Sequence, residues 1–187
     1  MQQTELLRTL RAVRRFAARP IPVPVLQDIL EVARWTGSSK NNQPWELVVV
    51  RDRSLLKALS VCGPFAGHLA GAQLAIALVM KAGEPAGEFD EGRLAHGIML
   101  AAWAHGVGSC IGSIYPAANQ RGAHELLGVP EGMLVNTIIS LGYPQDERAL
   151  RLPENAPIPR GRKPLSRLVS WERYGRHVEE PAPERPT

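Results

Sequence analysis

The chain has 187 residues, of which 44% are hydrophobic and 21% charged, a composition typical of one globular domain. Its net charge of +4 comes with only 5% aromatic residues and no nucleic-acid-binding motif, so we expect no nucleic-acid partner. The two cysteines fit neither a disulfide framework nor a metal site, and no stretch resembles a membrane span or a signal peptide, so we expect a cytoplasmic protein.

Hydrophobic periodicity predicts alternating helices and strands. A first helix, with apolar residues at 6, 7, 10 and 13, carries an arginine cluster and ends in a turn. A proline-rich connection and an amphipathic helix over 25–35, closed by Gly37, follow it, and we expect Trp35 to be a core residue. The later predicted elements are a strand at 46–51, a helix at 54–59, a buried strand at 74–80, a surface loop at 81–88, a long central helix at 91–105, a strand edge after 106, a short helix at 119–127 and a strand at 133–141.

Beyond residue 144 the sequence loses its periodicity. We expect an extended surface run over 144–165, a short helix around 166–174 and a disordered tail. The whole pattern predicts one domain over residues 1–175 and a tail over 176–187. This domain is an α/β or α+β layered fold with about four strands.

The polar loop from Ser38 to Trp45 opens directly onto a buried strand, and seven of its eight residues carry hydrogen-bonding groups. Loops in this position commonly grip a ligand, although they also serve as plain turns. Arginines gather near both ends of the chain, which fits either a compact anionic ligand or a solvated basic face. Charge alone does not choose between these two interpretations.

Nucleotide-binding and nucleophile motifs are missing from the sequence: it has no Gly-x-Gly-x-x-Gly at a strand–helix junction, no Walker loop and no Gly-x-Ser-x-Gly elbow. The five histidines lack the spacing of a metal site. We therefore expect no metal, and we assign no catalytic side chain. Many anion-binding groups without acid–base machinery indicate an enzyme whose chemistry belongs to a bound cofactor.

Six segments, taken together, resemble the nitroreductase-like family of FMN-dependent oxidoreductases over roughly residues 5 to 170. The most specific are Arg-x-x-Arg-x-Phe and Ser-Ser-x-Asn-x-Gln-Pro-Trp. The six segments lie at 11–16, 38–45, 90–93, 104–109, 141–144 and 160–164. The resemblance implies an α+β, three-layer fold with a mixed, mainly antiparallel sheet flanked by helices. It also implies an obligate homodimer with FMN at the interface.

The resemblance assigns cofactor-binding roles to four arginines. Arg11 and Arg162 match positions that clamp the FMN phosphate, where a guanidinium fork suits a dianion. Arg160 matches a basic position beside them. Arg14 matches a cation near the pyrimidine edge of the flavin ring, where a fixed positive charge favours the reduced, anionic form.

The polar loop and one strand receive the remaining roles. Ser38, Ser39 and Asn41 match the loop that reaches the FMN of the partner subunit, and Gln43 matches a residue that fixes that loop or the ring. Ala12 matches a position in the phosphate shell, where alanine replaces the usual serine and only the backbone N–H remains. Gly112 and Ser113 match the segment whose backbone N–H approaches flavin N5.

The implied reaction is ping-pong hydride transfer through flavin N5. NADH or NADPH donates electrons, and an electron-poor acceptor such as a quinone, a nitroaromatic or an activated alkene receives them. Two alternatives stay open: the same fold with flavin fragmentation, dehalogenation or deazaflavin-linked reduction, and a non-enzymatic protein that stores FMN. The stretch 81–89 is too short for a large helical lid, and Gly37 replaces a common proline, so the shape of the pocket is left undefined.

Overall fold

The computed structural model describes residues 3–146, 148 and 163–177. The chain divides into two compact units, Met1–Leu152 and Pro153–Thr187. The predicted boundary of a single domain at residue 175 stays a prediction. None of the described helices is long and apolar enough to cross a membrane.

Local signals in the sequence explain where the helices begin and end. The second helix has a proline in its first turn, the third begins after Asp52, whose side chain accepts the Leu55 N–H at 2.7 Å, and the fifth ends at Gly128 with φ +65°. The helices are α1 (Gln3–Thr9), α2 (Val23–Arg34), α3 (Arg53–Leu59), α4 (Gly87–Ala104) and α5 (Ala117–Leu127).

The sheet is four-stranded, with the order β1-β2-β4-β3, and each neighbouring pair is antiparallel. An isolated parallel bridge joins Ala12 to Ser109 at its β3 edge. These features confirm the predicted α+β class and the predicted number of strands. The strands are β1 (Trp45–Val50), β2 (Leu74–Lys81), β3 (Gly108–Ser113) and β4 (Met133–Gly142).

Two hydrophobic clusters cover opposite faces of the sheet and make the fold three-layered. Residues of β2 alternate between them: Ile76 and Leu78 pack with α2 and α4, while Ala75 and Ala77 pack with α3 and α5. All of β2 is buried except its last residue, Lys81, which accounts for its uninterrupted apolar sequence.

The structure corrects four predictions. The first helix ends at Thr9, so Val13 is buried outside it. The central helix begins at Gly87, within the predicted 81–88 loop. Residues 166–174 form no α-helix, and only a 3₁₀ turn at Leu165–Arg167 is present there. Trp35, predicted to be a core residue, is 74% exposed because it follows the last turn of α2, where its ring lies beside Arg34.

Candidate functional site

The arginine-rich segment after α1 is fixed to the rim of the sheet by its backbone. The Val13 N–H donates to the Ser109 oxygen at 2.9 Å, and the Ala17 N–H donates to the Tyr143 oxygen at 2.8 Å. The Arg15 oxygen in turn accepts the Gln145 N–H at 3.0 Å. Segment 12–17 thus bridges the start of β3 and the chain that leaves β4.

Two glycines make room for this segment. A Cβ atom at Gly108 would lie 2.6 Å from the Cβ of Val13, and one at Gly142 would lie 2.8 Å from the Phe16 ring. Cβ contacts this short force neighbouring atoms to move. These glycines are therefore required for close approach of the segment to the sheet, which explains the glycine-rich sequence at the start of β3.

Strand β3 is an edge strand, and its register shows which backbone groups point away from the sheet. The Ile114 N–H donates to the Asn136 oxygen of the β4 side at 2.8 Å, and Gly112 pairs with Ile138. Backbone groups of successive residues point in opposite directions. Ile111 and Ser113 therefore direct their N–H groups to the free edge, towards segment 12–17 and the chain before β2. The Gly112 N–H points towards β4 instead, so the prediction that it approaches the flavin is wrong for Gly112.

His68 holds one of the outward carbonyl groups. Its Nε2 lies 3.2 Å from the Ile111 oxygen, and its Nδ1 lies 2.8 Å from the hydroxyl of the buried Ser140. Because a carbonyl oxygen only accepts, Nε2 carries the proton. The Ser140 hydroxyl also lies 3.2 Å from the Cys110 oxygen, so its single proton is shared between that oxygen and Nδ1 of the neutral ring. Burial is the main cause that lowers the pKa of His68, and the Arg14 charge adds to it.

Two adjacent clefts flank the segment and share Arg14 and Arg15. One cleft, of about 420 Å³, is lined by residues 12–15 and 144–146. The other, of about 440 Å³, is lined by Arg14 and Arg15 together with residues that include His68 and the exposed Ile111. Two cationic side chains thus stand near the outward N–H of Ile111, a combination that suits an anionic ligand with hydrogen-bond acceptors.

Arg11 points elsewhere in this structure. Its guanidinium donates to the oxygens of Arg8 at 2.9 Å and Leu10 at 2.8 Å, at the end of α1. Cations commonly satisfy the unpaired carbonyls of a helix C-terminus in this way. The predicted phosphate contact of Arg11 therefore requires its side chain to rotate. The other predicted phosphate contacts, Arg160 and Arg162, lie outside the described residues.

The polar loop contains three left-handed residues that are not glycine, namely Lys40, Asn41 and Gln43, with φ of 51°, 56° and 46°. Each costs about 1–2 kcal/mol relative to ordinary backbone. Such conformations persist only where surrounding contacts impose them, and they concentrate at ligand-binding segments. The loop is thus a candidate functional element on backbone evidence as well as on its sequence.

Contacts inside and beneath the loop impose this conformation. The Ser38 hydroxyl accepts the Gln43 N–H at 2.8 Å, and the Gln43 amide donates to the side chain of Asn41 at 3.3 Å. The Ser39 N–H donates to the buried Asp90 carboxylate at 3.0 Å. Ser38 and Gln43 therefore shape the loop, while the hydroxyl of Ser39 lies at its exposed surface.

Within one chain, the loop and the β3 edge belong to different clefts. The loop lines a cleft of about 260 Å³ together with the residues that precede and begin α4. None of its residues lines the two clefts that contain Arg14 and Arg15. The predicted site residues thus form two separate groups.

Comparison with known proteins decides the family. The model of the Nitroreductase family matches residues 7–62 and 62–143. The chain belongs to the nitroreductase family. It is therefore one of a family of oxidoreductases, and the resemblance of its motifs to that family is confirmed.

Relatives and solved structures within this family match most of the chain. An Archaeoglobus fulgidus protein named for NADH dehydrogenase/NAD(P)H nitroreductase activity is 35% identical over 152 residues, covering 77% of this chain and 86% of that protein. An NADH dehydrogenase of Thermus thermophilus is 25% identical over 199 residues, covering 86% and 91%. The structure of an FMN-dependent nitroreductase from Clostridium difficile superposes with a TM-score of 0.73 at 29% identity, covering 77% and 88%.

Sequence reasoning missed the residues that support the two groups. His68 gave no signal, because its partners lie 43 and 72 residues away in the chain. Asp90 and Arg93 stood in a recognised motif, but their contact with the loop depends on how α4 packs.

The described part of the chain contains no cluster of three or more residues suited to a metal ion. Burial raises the pKa of both free thiols, Cys62 and Cys110.

Proposed function

We propose that this nitroreductase-family protein is an FMN-dependent oxidoreductase that takes electrons from NADH or NADPH and passes them to small electron-poor acceptors. The observation that carries the proposal is the pair of clefts that share Arg14 and Arg15, one of which also includes Ile111, whose N–H points out of the β3 edge. An FMN molecule needs cations for its phosphate and ring edge and donors for its ring atoms, and the residues present fit these needs.

We further propose a homodimer in which each FMN contacts both chains. One chain supplies Ala12, Arg14 and the β3 edge at Ser113, whereas the N–H of Gly112 is turned towards β4. The partner supplies the loop that contains Ser39 and Asn41. Two facts support this arrangement: the loop lines a separate cleft in its own chain, and three of its residues have a strained, left-handed backbone of the kind found at ligand-binding segments.

When bound, FMN supplies hydride acceptance and donation at N5. The chain binds and orients it. The outward N–H of Ser113 would donate to the ring, and Arg14 would stabilise negative charge at its pyrimidine edge. Arg160 and Arg162 would neutralise the phosphate, together with Arg11 once its side chain has turned away from the end of α1. The exposed rings of Phe65 and Tyr115 lie 6.5 Å apart, and Phe65 lines the same cleft as Arg14.

The acceptor classes that we propose are nitroaromatics, quinones and activated alkenes, reduced in a ping-pong sequence. The two clefts are open to solvent, which would allow the nicotinamide and the acceptor to bind in turn. We also propose a cytoplasmic location, since both cysteines are free thiols.

An absorbance spectrum recorded before and after anaerobic addition of NADH or NADPH tests the function. We expect flavin bands near ~450 nm that bleach with one or both nucleotides, and that return with a quinone or a nitroaromatic. Bands that persist with both nucleotides would favour storage of FMN or a different reductant. A protein that stays colourless after addition of FMN would contradict the proposal.

A further inference from the structure

The first turn of α4 reaches the polar loop through one buried carboxylate. Asp90 is 2% exposed, and its Oδ2 accepts the Ser39 N–H at 3.0 Å. The residue is 51 positions away from Ser39 in sequence, so this contact joins two elements that are otherwise separate. A buried carboxylate needs such partners, because an unpaired one is strongly disfavoured.

Arg93 completes this contact. Its Nη1 lies 3.6 Å from Asp90 Oδ1, and its Nη2 passes so close to Gly37 that a Cβ atom there would lie only 2.6 Å away. Gly37 immediately precedes the loop and has an ordinary φ. Glycine at position 37 therefore leaves room for the Arg93 guanidinium; the backbone conformation does not require it.

The position of Ser39 makes this contact effective. Ser39 comes directly before the first of the three left-handed residues. Its N–H is fixed from outside the loop by Asp90, while the Ser38 hydroxyl fixes the Gln43 N–H from inside. The loop is thereby held at both ends of its strained part, and the side chains of Ser39 and Asn41 are left at the surface.

We propose that Asp90, together with Arg93, is a positioning residue for cofactor binding: it fixes residues 38–43 in the conformation that contacts the FMN of the partner subunit. This inference rests on the proposed function. It assigns Asp90 no contact with FMN. It predicts that loss of the Asp90 carboxylate weakens FMN binding and speeds hydrogen exchange in the loop, without a comparable rise of exchange in the sheet.

The test compares Asp90→Ala and Asp90→Asn with the parent and with Glu88→Gln, which changes an exposed acid in the same helical turn. The FMN dissociation constant is measured by flavin fluorescence, and amide hydrogen exchange is measured without FMN. We expect Asp90→Ala to raise the dissociation constant at least ~10-fold and to speed exchange at Ser39 and Gln43. Asp90→Asn should have a smaller effect, and Glu88→Gln should stay within about twofold.

Arg93→Gln provides a second variant, which removes the ionic partner of Asp90 and tests the same contact if Asp90→Ala does not fold. FMN binding should weaken by a few-fold, because the half-exposed ion pair contributes modestly. Unchanged FMN binding in both Asp90→Ala and Arg93→Gln would overturn the inference, as would faster exchange spread evenly over β2 and β4. A parent protein that binds no FMN would refute the proposed function instead, and the exchange data would still decide whether Asp90 fixes the loop.

Discussion

The two groups of site residues are held in place by different kinds of interaction. Segment 12–17 is fixed by backbone hydrogen bonds to the sheet and by the close approach that Gly108 and Gly142 permit. The 38–43 loop is fixed by side chains, chiefly Ser38 and Asp90. The first region should therefore tolerate changes of its arginines without unfolding, whereas the second should lose its conformation when a supporting side chain is removed.

The largest effect should come from filling the space beneath segment 12–17. Gly108→Ala places a Cβ 2.6 Å from Val13, so the segment must move. We expect a loss of about 1–3 kcal/mol in the free energy of unfolding, from the overpacking alone. FMN binding should weaken by roughly 100-fold, more than on loss of Arg14 alone, since the segment carries both Arg14 and the backbone N–H of Ala12. Urea unfolding and fluorescence titration measure both quantities.

The matched control for this change is Gly71→Ala, because a Cβ there meets nothing within 4 Å. It should leave stability and FMN binding close to those of the parent. Equal losses of stability and FMN affinity in Gly108→Ala and Gly71→Ala would show that close approach at Gly108 is not what holds segment 12–17 in place.

Replacing the side chain instead of the backbone contact should separate binding from stability. Arg14→Gln removes an exposed cation that lines both clefts, so we expect FMN to bind about 10-fold more weakly. The unfolding midpoint should hardly change. Arg34→Gln, which removes an exposed cation of α2 paired with Glu31, is the control and should leave FMN affinity unaltered.

A smaller effect should appear in the pH dependence of stability at the β3 edge. Burial lowers the pKa of His68 below its ordinary value of 6.5. The unfolded chain therefore takes up a proton before the folded chain does, and folding loses stability as pH falls through 6.5. His68→Gln should lose less stability than the parent between pH 7.5 and pH 5.5. Identical losses in urea unfolding would contradict the assignment of a neutral ring.

The smallest effect concerns Glu91, the neighbour of Asp90 on α4. Burial is the main cause that raises the pKa of Glu91, and its Oε1 has no hydrogen-bond partner among the described residues. Its stabilising contribution is therefore lost as pH rises above 4.5. Glu91→Met should increase the free energy of unfolding at pH 8 by about 1 kcal/mol, with less gain at pH 5 and no change in FMN binding. A destabilised variant at pH 8 would contradict this.

Much of the fold could be predicted from the sequence, because apolar residues buried on one side of a helix or strand recur with the period of that element. The apolar runs in β2 and β4 and the amphipathic pattern of α2 each gave the correct element. The end of α1 was missed because Leu10 and Val13 continue the helical spacing although the backbone has turned to meet Ser109. Periodicity records burial, and it does not record which neighbour causes it.

The site was predicted less completely, for a related reason. Motifs identified Arg14, Ser39 and Ser113 because their residue types and spacing match a family pattern. His68 and Asp90 act through partners 43 or more residues away, and only the packing of the layers brings them together. Supporting residues of this kind carry no local signal that a single sequence reveals.

The central claim is that the two regions complete one FMN site only when they come from different chains. Mixed dimers test it directly: Arg14→Glu and Asp90→Ala chains, each binding FMN poorly alone, are combined and titrated with FMN. The account predicts that mixed dimers regain one intact site per dimer, with the affinity of the parent, because both defects fall in the other site. No recovery of FMN binding in the mixture would contradict it.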